Sequence, residues 1–321
     1  MLSRTADHLF WMARYMERAE NTARMLDVNY QTSLLPQSAD SVVQAWDSLL
    51  SISELNWSFS KKYQEVTPEN VMDFMVRDET NGSSIIACLR AARENARAVR
   101  GVLTTEVWET QNQTWLELSN ALRNGAFESD PAAFFERVKV RSHQSRGVTV
   151  GTMLADEALH FMRIGTFLER ADNTARLLDV RFQALAGGDY FGPGTADEGQ
   201  DVDFYHWSAI LRSVSGFEIY RRVYRNVIRP EKVAELLILR ADMPRSLAAC
   251  MNEALSNLRL VANEQSSETL RRAGRLRSDL QHGRIDEILA TGLHAYLTQF
   301  LDRVNDLGVG ISRDFLVPMA A

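Results

Sequence analysis

The chain has 321 residues, of which 45% are hydrophobic, so it is long enough for one large helical domain or two of ordinary size. Its 36 basic and 42 acidic residues give a net charge of −6, which argues against a dedicated nucleic-acid binder. No window approaches about 20 consecutive apolar residues, and charged residues interrupt the N-terminal stretch. We therefore expect no membrane association and a cytoplasmic location.

One stretch near the start of the chain occurs twice. Residues 8–30 read HLFWMARYMERAENTARMLDVNY, and residues 160–182 read HFMRIGTFLERADNTARLLDVRF, 152 positions further on without a gap. Between Glu17–Val28 and Glu169–Val180, ten of twelve positions are identical. Such agreement indicates an internal duplication, and we call the two stretches the first and second motif.

Each motif is predicted to be a helix. Helix-favouring residues dominate, proline is absent, and apolar residues recur at spacings of three and four. At about 100° per residue, one broad stripe of the first motif is predicted to be core, formed by Leu9, Met12, Ala13, Met16, Ala23, Leu26 and Tyr30. Charged side chains lie within or beside this stripe, one helical turn apart, and such groups are rarely buried unless paired. We expect the two motif helices to face each other and to exchange ion pairs.

Matches between the two copies continue along the chain. Trp46 corresponds to Trp207, and each tryptophan is predicted to lie in a helix that follows its motif. Pro68 and Pro230 are each predicted at the first position of a helix, where the missing N–H is not needed.

The next matching segments carry the two cysteines of the chain. Ser84–Asn95 matches Ser246–Asn257, which places Cys88 and Cys250 at one equivalent position. There is no CxxC motif and no histidine nearby in sequence, so we interpret both as small buried hydrophobes rather than reactive thiols.

The copies diverge beyond these segments. Helices are predicted over Thr105–Leu122, Ser267–Gln281 and Ile285–Asp306, each from its composition and apolar spacing. A glycine-rich, acidic segment at Ala186–Asp203 is predicted to be a mobile loop.

Together these patterns predict an all-α fold, an internally duplicated helical bundle with two similar halves around a pseudo-twofold axis. The first helical repeat is predicted at residues 1–129, a linker and approach to the second repeat at 130–152, and the second repeat at 153–321. Because each motif opens its half, we expect both halves to pack as one continuous domain.

The charged and amide side chains of the motifs are the candidate site: Glu17, Arg18, Glu20, Asn21, Arg24, Asp27, Glu169, Arg170, Asp172, Asn173, Arg176 and Asp179. One interpretation is a buried ion-pair network that fixes how the halves dock, in which breaking one side would cost about 3 to 5 kcal/mol. The other is a polar cleft between helices where arginines receive a carboxylate or a phosphate. Both can hold, and the sequence leaves them open.

At these residues the chain resembles the bacterial alpha-E family, an all-helical domain of unknown function named for its Glu-Arg motif. That motif corresponds here to Glu17-Arg18 and Glu169-Arg170. The N-terminal pattern of the family also fits at Leu2, Ser3, Arg4, Trp11, Arg14 and Tyr15, and the approach to its second motif fits at Gly151 and Gly165. The resemblance covers essentially the whole chain and implies an all-helical fold.

The resemblance also implies a functional setting. Such proteins are typically encoded beside, or fused to, a circularly permuted ATP-grasp protein and a transglutaminase-like peptidase, which implies peptide or amide-ligase chemistry. We therefore expect a non-catalytic or accessory module that binds its partner, a peptide or an anionic ligand at the Glu-Arg cleft. The alternative is an enzyme in its own right, with Glu17 or Glu169 as acid/base and Arg24 or Arg176 as an anion clamp.

Motifs for cofactors and metals are scarce in the sequence. It contains no GxxxxGK(S/T), GxGxxG, HExxH or GxSxG motif, so we expect no cofactor, with ATP and Mg²⁺ entering only through a partner. Glu157 and His160 have the spacing of a metal-ligand pair in carboxylate-bridged bundles. They are weak candidates, because Thr5 stands where the first copy would need the glutamate, and no metal is predicted.

Three runs are rich in arginine: residues 137–146, 221–229 and 271–277. Runs of this kind usually form solvated faces, and a docking surface for an anionic partner is the alternative. The net negative charge of the chain favours the solvated faces.

Overall fold

The computed structural model describes residues 1–36, 38–186 and 199–316. These residues form sixteen helices and no strand, so the predicted all-helical class is confirmed. Within the same ranges, no helix combines the length and the apolar character needed to cross a bilayer.

Eight helices lie before residue 153. They are α1 (Ser3–Ser33), α2 (Ala39–Ile52), α3 (Asn56–Ser60), α4 (Pro68–Val76), α5 (Ile85–Ala98), α6 (Thr105–Arg123), α7 (Ala126–Ser129) and α8 (Pro131–Thr152). The first motif lies inside α1. The segment 130–152, predicted as a linker and approach, consists almost entirely of α8.

Eight further helices follow. They are α9 (Glu157–Ala186), α10 (Gly199–Ser213), α11 (Phe217–Tyr224), α12 (Pro230–Ile238), α13 (Leu247–Leu260), α14 (Ser267–His282), α15 (Ile285–Thr291) and α16 (Leu293–Phe315). The second motif lies inside α9. The loop predicted at Ala186–Asp203 falls largely outside the described residues, and only its ends belong to α9 and α10.

One predicted helix is wrong in its extent. Ile285–Asp306 was expected to be continuous, but Gly292 divides it into α15 and α16. The φ angle of Gly292 is 100°, a conformation that a helix cannot contain and that glycine adopts readily. The apolar spacing continues on both sides of the glycine, so the sequence pattern alone did not reveal the break.

Packing is organised around α1 and α9, which make the most extensive contact between any two helices in the described chain. Helices α5 and α8 also pack on α1, while α13 and α16 pack on α9. Helix α1 is thus covered on most sides. The stripe predicted as core is buried apart from Tyr30, which is half-buried.

Matched prolines and matched serines both lie at helix starts, and the prolines do so as predicted. Pro68 and Pro230 are the first residues of α4 and α12. The side-chain oxygens of Ser84 and Ser246 cap α5 and α13, at 3.2 and 3.0 Å from the backbone nitrogen three residues further on.

Both cysteines lie on the buried faces of these capped helices. Cys88 on α5 and Cys250 on α13 are each 0% exposed. Burial raises the pKa of each thiol to about 12, so both remain protonated at neutral pH. Their interpretation as small buried hydrophobes is confirmed.

Helices α1 and α9 lie in close contact at Gly165. A Cβ atom at this position would lie 2.4 Å from the backbone oxygen of Phe10, which is too close for any side chain. Because glycine has no side chain, the backbones of the two motif helices can touch here, and this contact sets the separation of the helices.

We expect Gly165→Ala to lower the free energy of unfolding by about 1 to 3 kcal/mol, because the added methyl group forces the two helices apart. Gly147→Ala on α8 is the matched control, since a Cβ there meets nothing within 4 Å. The control should gain up to about 1 kcal/mol from the better helix propensity of alanine. Urea unfolding measures both values, and equal midpoints for Gly165→Ala and the parent protein would contradict the close contact.

Candidate functional site

The motif helices bring carboxylates to the centre of the protein. Glu17 and Glu20 on α1 are 2% and 0% exposed, and Glu169 on α9 is 5% exposed. Carboxylates in such positions are strongly destabilising unless they are paired. Here each has arginine partners, in two groups that we call the first seam, around Glu17, Glu20 and Asn21, and the second seam, around Glu169, Asp172 and Asn173.

Glu17 binds three guanidinium groups. Arg170 on α9 donates from Nε to Oε1 at 2.8 Å and from Nη2 to Oε2 at 2.9 Å, which is a bidentate pair. Arg245, in the loop between α12 and α13, donates from Nη1 to Oε1 at 2.9 Å, and Arg146 on α8 donates to Oε2 at 3.1 Å. Burial alone would raise the pKa of Glu17, but Arg170 and Arg245 outweigh it and hold that pKa below its ordinary value.

Glu20 is paired in the same way. Arg24 donates from Nε to Oε1 at 2.8 Å, and Nη2 of Arg245 donates to the same oxygen at 2.6 Å. The other oxygen, Oε2, accepts from Arg146. Burial opposes ionisation, yet the contact with His143 and the charges of Arg245 and Arg146 bring the pKa of Glu20 well below its ordinary value.

Arg245 closes the first seam. Its side chain donates to three acceptors at once, because Nη1 also reaches Oδ1 of Asn21 at 2.7 Å. The residue is 6% exposed. Burial lowers the pKa of the guanidinium, and the charges of Glu17 and Glu20 oppose that shift.

The second seam is built around Glu169. Arg18 donates from Nε to Oε1 at 2.5 Å and from Nη2 to Oε2 at 3.0 Å, and Arg14 donates from Nε to Oε2 at 2.7 Å. Burial would raise the pKa of Glu169, but Arg14 and Arg18 lower it to about 2. Since Glu169 thus pairs with α1 and Glu17 pairs with α9, the expected exchange of ion pairs between the motifs is confirmed.

Asp172 completes the second seam with Arg176. The guanidinium donates from Nε to Oδ2 at 2.8 Å and from Nη2 to Oδ1 at 3.2 Å, and its Nη1 pairs with Glu54. Glu54 lies in the turn after α2, with a φ angle of 55°. A left-handed conformation costs a non-glycine residue about 1 to 2 kcal/mol, so this backbone is held against its preference beside Arg176.

The two seams differ in the loop that precedes the capping serine, Ser246 at the first seam and Ser84 at the second. The register that matches Ser84 with Ser246 places Ser83 at the position of Arg245. The short side chain of Ser83 makes no hydrogen bond to any described residue. No described donor reaches Oδ1 of Asn173, the counterpart of the Asn21 oxygen that Arg245 binds.

A cleft of about 210 Å³ opens at the second seam, between α1, α9, the end of α2 and the loop that carries Ser83. We call it the second-seam cleft. Glu54 and Ser83 lie at its wall. Six of the twelve predicted site residues line it: Arg18, Asn21, Glu169, Asp172, Asn173 and Arg176.

One residue that lines this cleft carries a buried polar group without a partner. Asn21 is 3% exposed, and its Nδ2 has no hydrogen-bond acceptor among the described residues. Nδ2 of the matching Asn173 has Sδ of Met25 at 3.9 Å, and the counterpart of Met25 in the second motif is Leu177, which offers no acceptor. An unpaired buried amide costs about 1 to 3 kcal/mol, so Asn21 presents a donor that a bound molecule could satisfy.

The other predicted site residues lie away from the cleft. Glu17, Glu20, Arg24 and Arg170 belong to the first seam. Asp27 pairs with Nζ of Lys139 at 2.8 Å, and Asp179 pairs with Nδ1 of His294 at 2.8 Å.

The arginines expected to receive an anion already hold carboxylates. Arg18 binds Glu169, Arg24 binds Glu20, Arg170 binds Glu17, and Arg176 binds Asp172. The contacts therefore favour the network over a simple anion pocket. The solvated-face prediction for residues 137–146 is also wrong in part, because Lys139 and Arg146 point inward to carboxylates of α1.

The weak metal candidates do not converge. Glu157 pairs with the amino group of Met1 at 2.6 Å, and Nδ1 of His160 lies 2.9 Å from Oδ1 of Asn257. Among the described residues, no three His, Cys, Asp or Glu side chains are arranged to hold a metal ion.

Sequence reasoning missed five residues of the site: Arg14, Arg245, Arg146, Glu54 and Ser83. Arg245 and Ser83 carried a readable signal, since they occupy one equivalent position next to matched serines and differ in charge. Arg146 belonged to a run interpreted as solvated. Glu54 gave no signal, because only its backbone conformation turns it to Arg176.

The fold and the paired motifs define a class of protein: a helical domain whose central helices each carry a Glu-Arg pair and exchange those charges. The chain belongs to the Alpha-E family, described as a predicted alpha-helical domain with a conserved ER motif, and the match covers residues 1–316. The expected family membership is confirmed.

Similar proteins occur in mycobacteria. The chain is 26% identical over 326 aligned positions to an uncharacterized protein of Mycobacterium tuberculosis and to one of Mycobacterium bovis. Each alignment covers 93% of this chain and 35% of the relative, so the chain spans about a third of the length of these relatives. No solved structure matches the chain.

We expect Arg245→Met to lower the free energy of unfolding by about 3 to 5 kcal/mol, because it leaves two buried carboxylates short of a cation. Arg284→Met serves as the control, since Arg284 is exposed and pairs only with neighbouring acidic residues. The control should keep the parent unfolding midpoint. Chemical denaturation of the three proteins checks this, and a parent-like midpoint for Arg245→Met would remove Arg245 from the network.

The paired carboxylates make stability depend on pH. The pKa of Glu169 falls from 4.5 to about 2 on folding, so its contribution is complete above pH 4.5 and is lost as pH falls toward 2. The loss should be about 3 kcal/mol for this residue. Urea unfolding between pH 7 and pH 2 measures it, and Glu169→Gln should show a flatter profile across that window. Identical profiles for both proteins would contradict the shift.

Proposed function

We propose that this protein is a non-catalytic helical module that serves an ATP-grasp amide or peptide ligase, and that it binds the ligase or its peptide at the second-seam cleft. The observation that carries the proposal is the cleft itself, which combines paired charges, two asparagines and an unpartnered buried amide. Such a surface suits recognition by hydrogen bonds.

The protonation states support binding rather than proton transfer. A general acid or base works best with a pKa near the operating pH. Glu169 has a pKa of about 2, and arginines also hold the pKa of Glu17 below its ordinary value. Both remain ionised and paired with arginines, which disfavours the alternative in which either glutamate is the acid/base of an enzyme.

The proposed partners follow from the family setting. The first partner is the circularly permuted ATP-grasp ligase, and the second is the transglutaminase-like peptidase. ATP and Mg²⁺ would reach the reaction through the ligase, and its need for ATP makes the cytoplasm the proposed location. The mycobacterial relatives are about three times as long as the matched part, which suits a module that works beside other domains.

We further propose that duplication produced two halves related by a pseudo-twofold axis. Matching contacts support this arrangement, since Nδ1 of His8 lies 2.8 Å from Oδ1 of Asn95, and Nδ1 of His160 lies 2.9 Å from Oδ1 of Asn257. The element order supports it as well, with eight helices on either side of residues 153–156. Under this proposal α8 closes the first repeat, which then ends at residue 152 rather than 129.

Asn173→Leu tests the proposed function, because it blocks the second-seam cleft without removing a charge. We expect capture of the purified ATP-grasp ligase to weaken at least about tenfold and ligase turnover with the module to fall in parallel. Asn112→Leu is the control, a half-buried asparagine of α6 that does not line the cleft. Thermal melts must show both variants folded.

The outcomes separate the two candidate functions. Lost capture with lost turnover supports the module. Normal capture with lost product would favour the enzyme, and normal capture with normal product would overturn any role of the cleft.

A further inference from the structure

The two seams have matching acceptors, but only the first has an arginine to fill them. In the first seam Arg245 donates to Oε1 of Glu17 at 2.9 Å, to Oδ1 of Asn21 at 2.7 Å and to Oε1 of Glu20 at 2.6 Å. This arrangement is a complete guanidinium site formed from one carboxylate pair and one amide oxygen.

The matching acceptors of the second seam are Glu169, Asn173 and Asp172, and all three line the second-seam cleft. Oε1 of Glu17 accepts from two arginines, whereas Oε1 of Glu169 accepts from Arg18 alone among the described residues. A carboxylate oxygen can accept two hydrogen bonds, so Glu169 can take one more.

The two remaining acceptors also receive fewer hydrogen bonds than their counterparts in the first seam. Oδ1 of Asn173 receives no hydrogen bond from a described residue. Among the residues that the structure describes, Asp172 receives hydrogen bonds only from Arg176, whereas its counterpart Glu20 also receives them from Arg245 and Arg146. Each acceptor that Arg245 uses in the first seam therefore has an accessible counterpart in the second.

We propose that the second-seam cleft binds the guanidinium group of an arginine side chain in a peptide, at the place that Arg245 fills in the first seam. This assignment rests on the proposed function in taking the cleft as the binding site, and it names the ligand. The three acceptors belong to two carboxylates and one amide. The planar guanidinium of arginine can donate to all three, and it fits them better than the compact ammonium group of lysine does.

The charge balance permits a further cation. The first seam holds four arginines against two carboxylates, namely Arg24, Arg146, Arg170 and Arg245 against Glu17 and Glu20. The second seam holds three against three, namely Arg14, Arg18 and Arg176 against Glu54, Glu169 and Asp172. With one added guanidinium group, the second seam would hold four cations against three carboxylates, which is still less positive than the first seam.

The unpartnered Nδ2 of Asn21 supplies the complementary contact. It is a donor, whereas the guanidinium needs acceptors, so it suits a carbonyl oxygen of the same peptide. The cleft, with a volume of about 210 Å³, thus combines acceptors for the side chain with an unpartnered donor on a lining residue.

Calorimetric titration with three blocked amino acids tests the assignment: N-acetyl-arginine methylamide, its citrulline analogue and its lysine analogue. Citrulline has the shape of arginine without the charge. We expect the arginine probe to bind at least about tenfold more tightly than the citrulline probe and more tightly than the lysine probe. Equal affinities for arginine and citrulline, or no binding of the arginine probe, would overturn the assignment.

Ser83→Arg provides the second test, because it places an arginine at the position that matches Arg245. We expect it to abolish binding of the arginine probe, while the control Ser83→Ala keeps the parent affinity within about twofold. The backbone N–H of Ser83 bonds to Asn81 in the parent protein, and neither substitution removes that contact. Undiminished binding of the probe by folded Ser83→Arg would place it elsewhere and refute the proposal.

The probe and the ligase report on different claims. If the arginine probe does not bind but Asn173→Leu still loses the ligase, the ligand assignment fails and the proposed function stands. If the probe binds and Ser83→Arg abolishes that binding, while Asn173→Leu captures the ligase normally, the ligand assignment stands and the proposed function fails.

Discussion

The pairing of buried carboxylates with guanidinium groups is the constraint on which the centre of this protein depends. Glu17 and Glu169 sit on the two helices that pack most extensively, and each is neutralised by an arginine from the opposite helix. Removing any one partner leaves a charge in a place without water. The network therefore couples the docking of α1 and α9 to the identity of a few side chains, in a region where apolar packing alone would allow other arrangements.

The same chemistry has two different outcomes in the two seams. In the first seam a loop arginine, Arg245, and a helix arginine, Arg146, complete the network around Glu17. In the second seam a serine occupies the loop position, and a polar cleft remains. The sequence left open whether the charged residues form a structural network or a binding site. The first seam is a structural network, and the second seam is a candidate binding surface.

Much of the fold could be predicted from the sequence because repetition doubles every local signal. The motif helices and the proline-started helices each appear twice, so each prediction from apolar spacing or from a proline had a second copy to check it. The break at Gly292 could not, since a glycine within continuing apolar spacing is compatible with a helix and only its backbone angle decides. The buried charges of the motifs were predictable from their place on an apolar stripe. Arg245 and Glu54 were not, because tertiary packing of loops selects their partners.

The contact between the backbone of Phe10 and Gly165 has a consequence for how the protein can respond to its surroundings. Two helices that already touch cannot approach further, and the charges along their interface resist separation. Any molecule that enters between them meets walls set in advance, so little ordering entropy is lost and association should leave the helix axes where they are. Only the short segments around Glu54 and Ser83 can then change conformation when a molecule binds in the cleft. These segments, and not the helices of the bundle, would differ between the free and the bound protein.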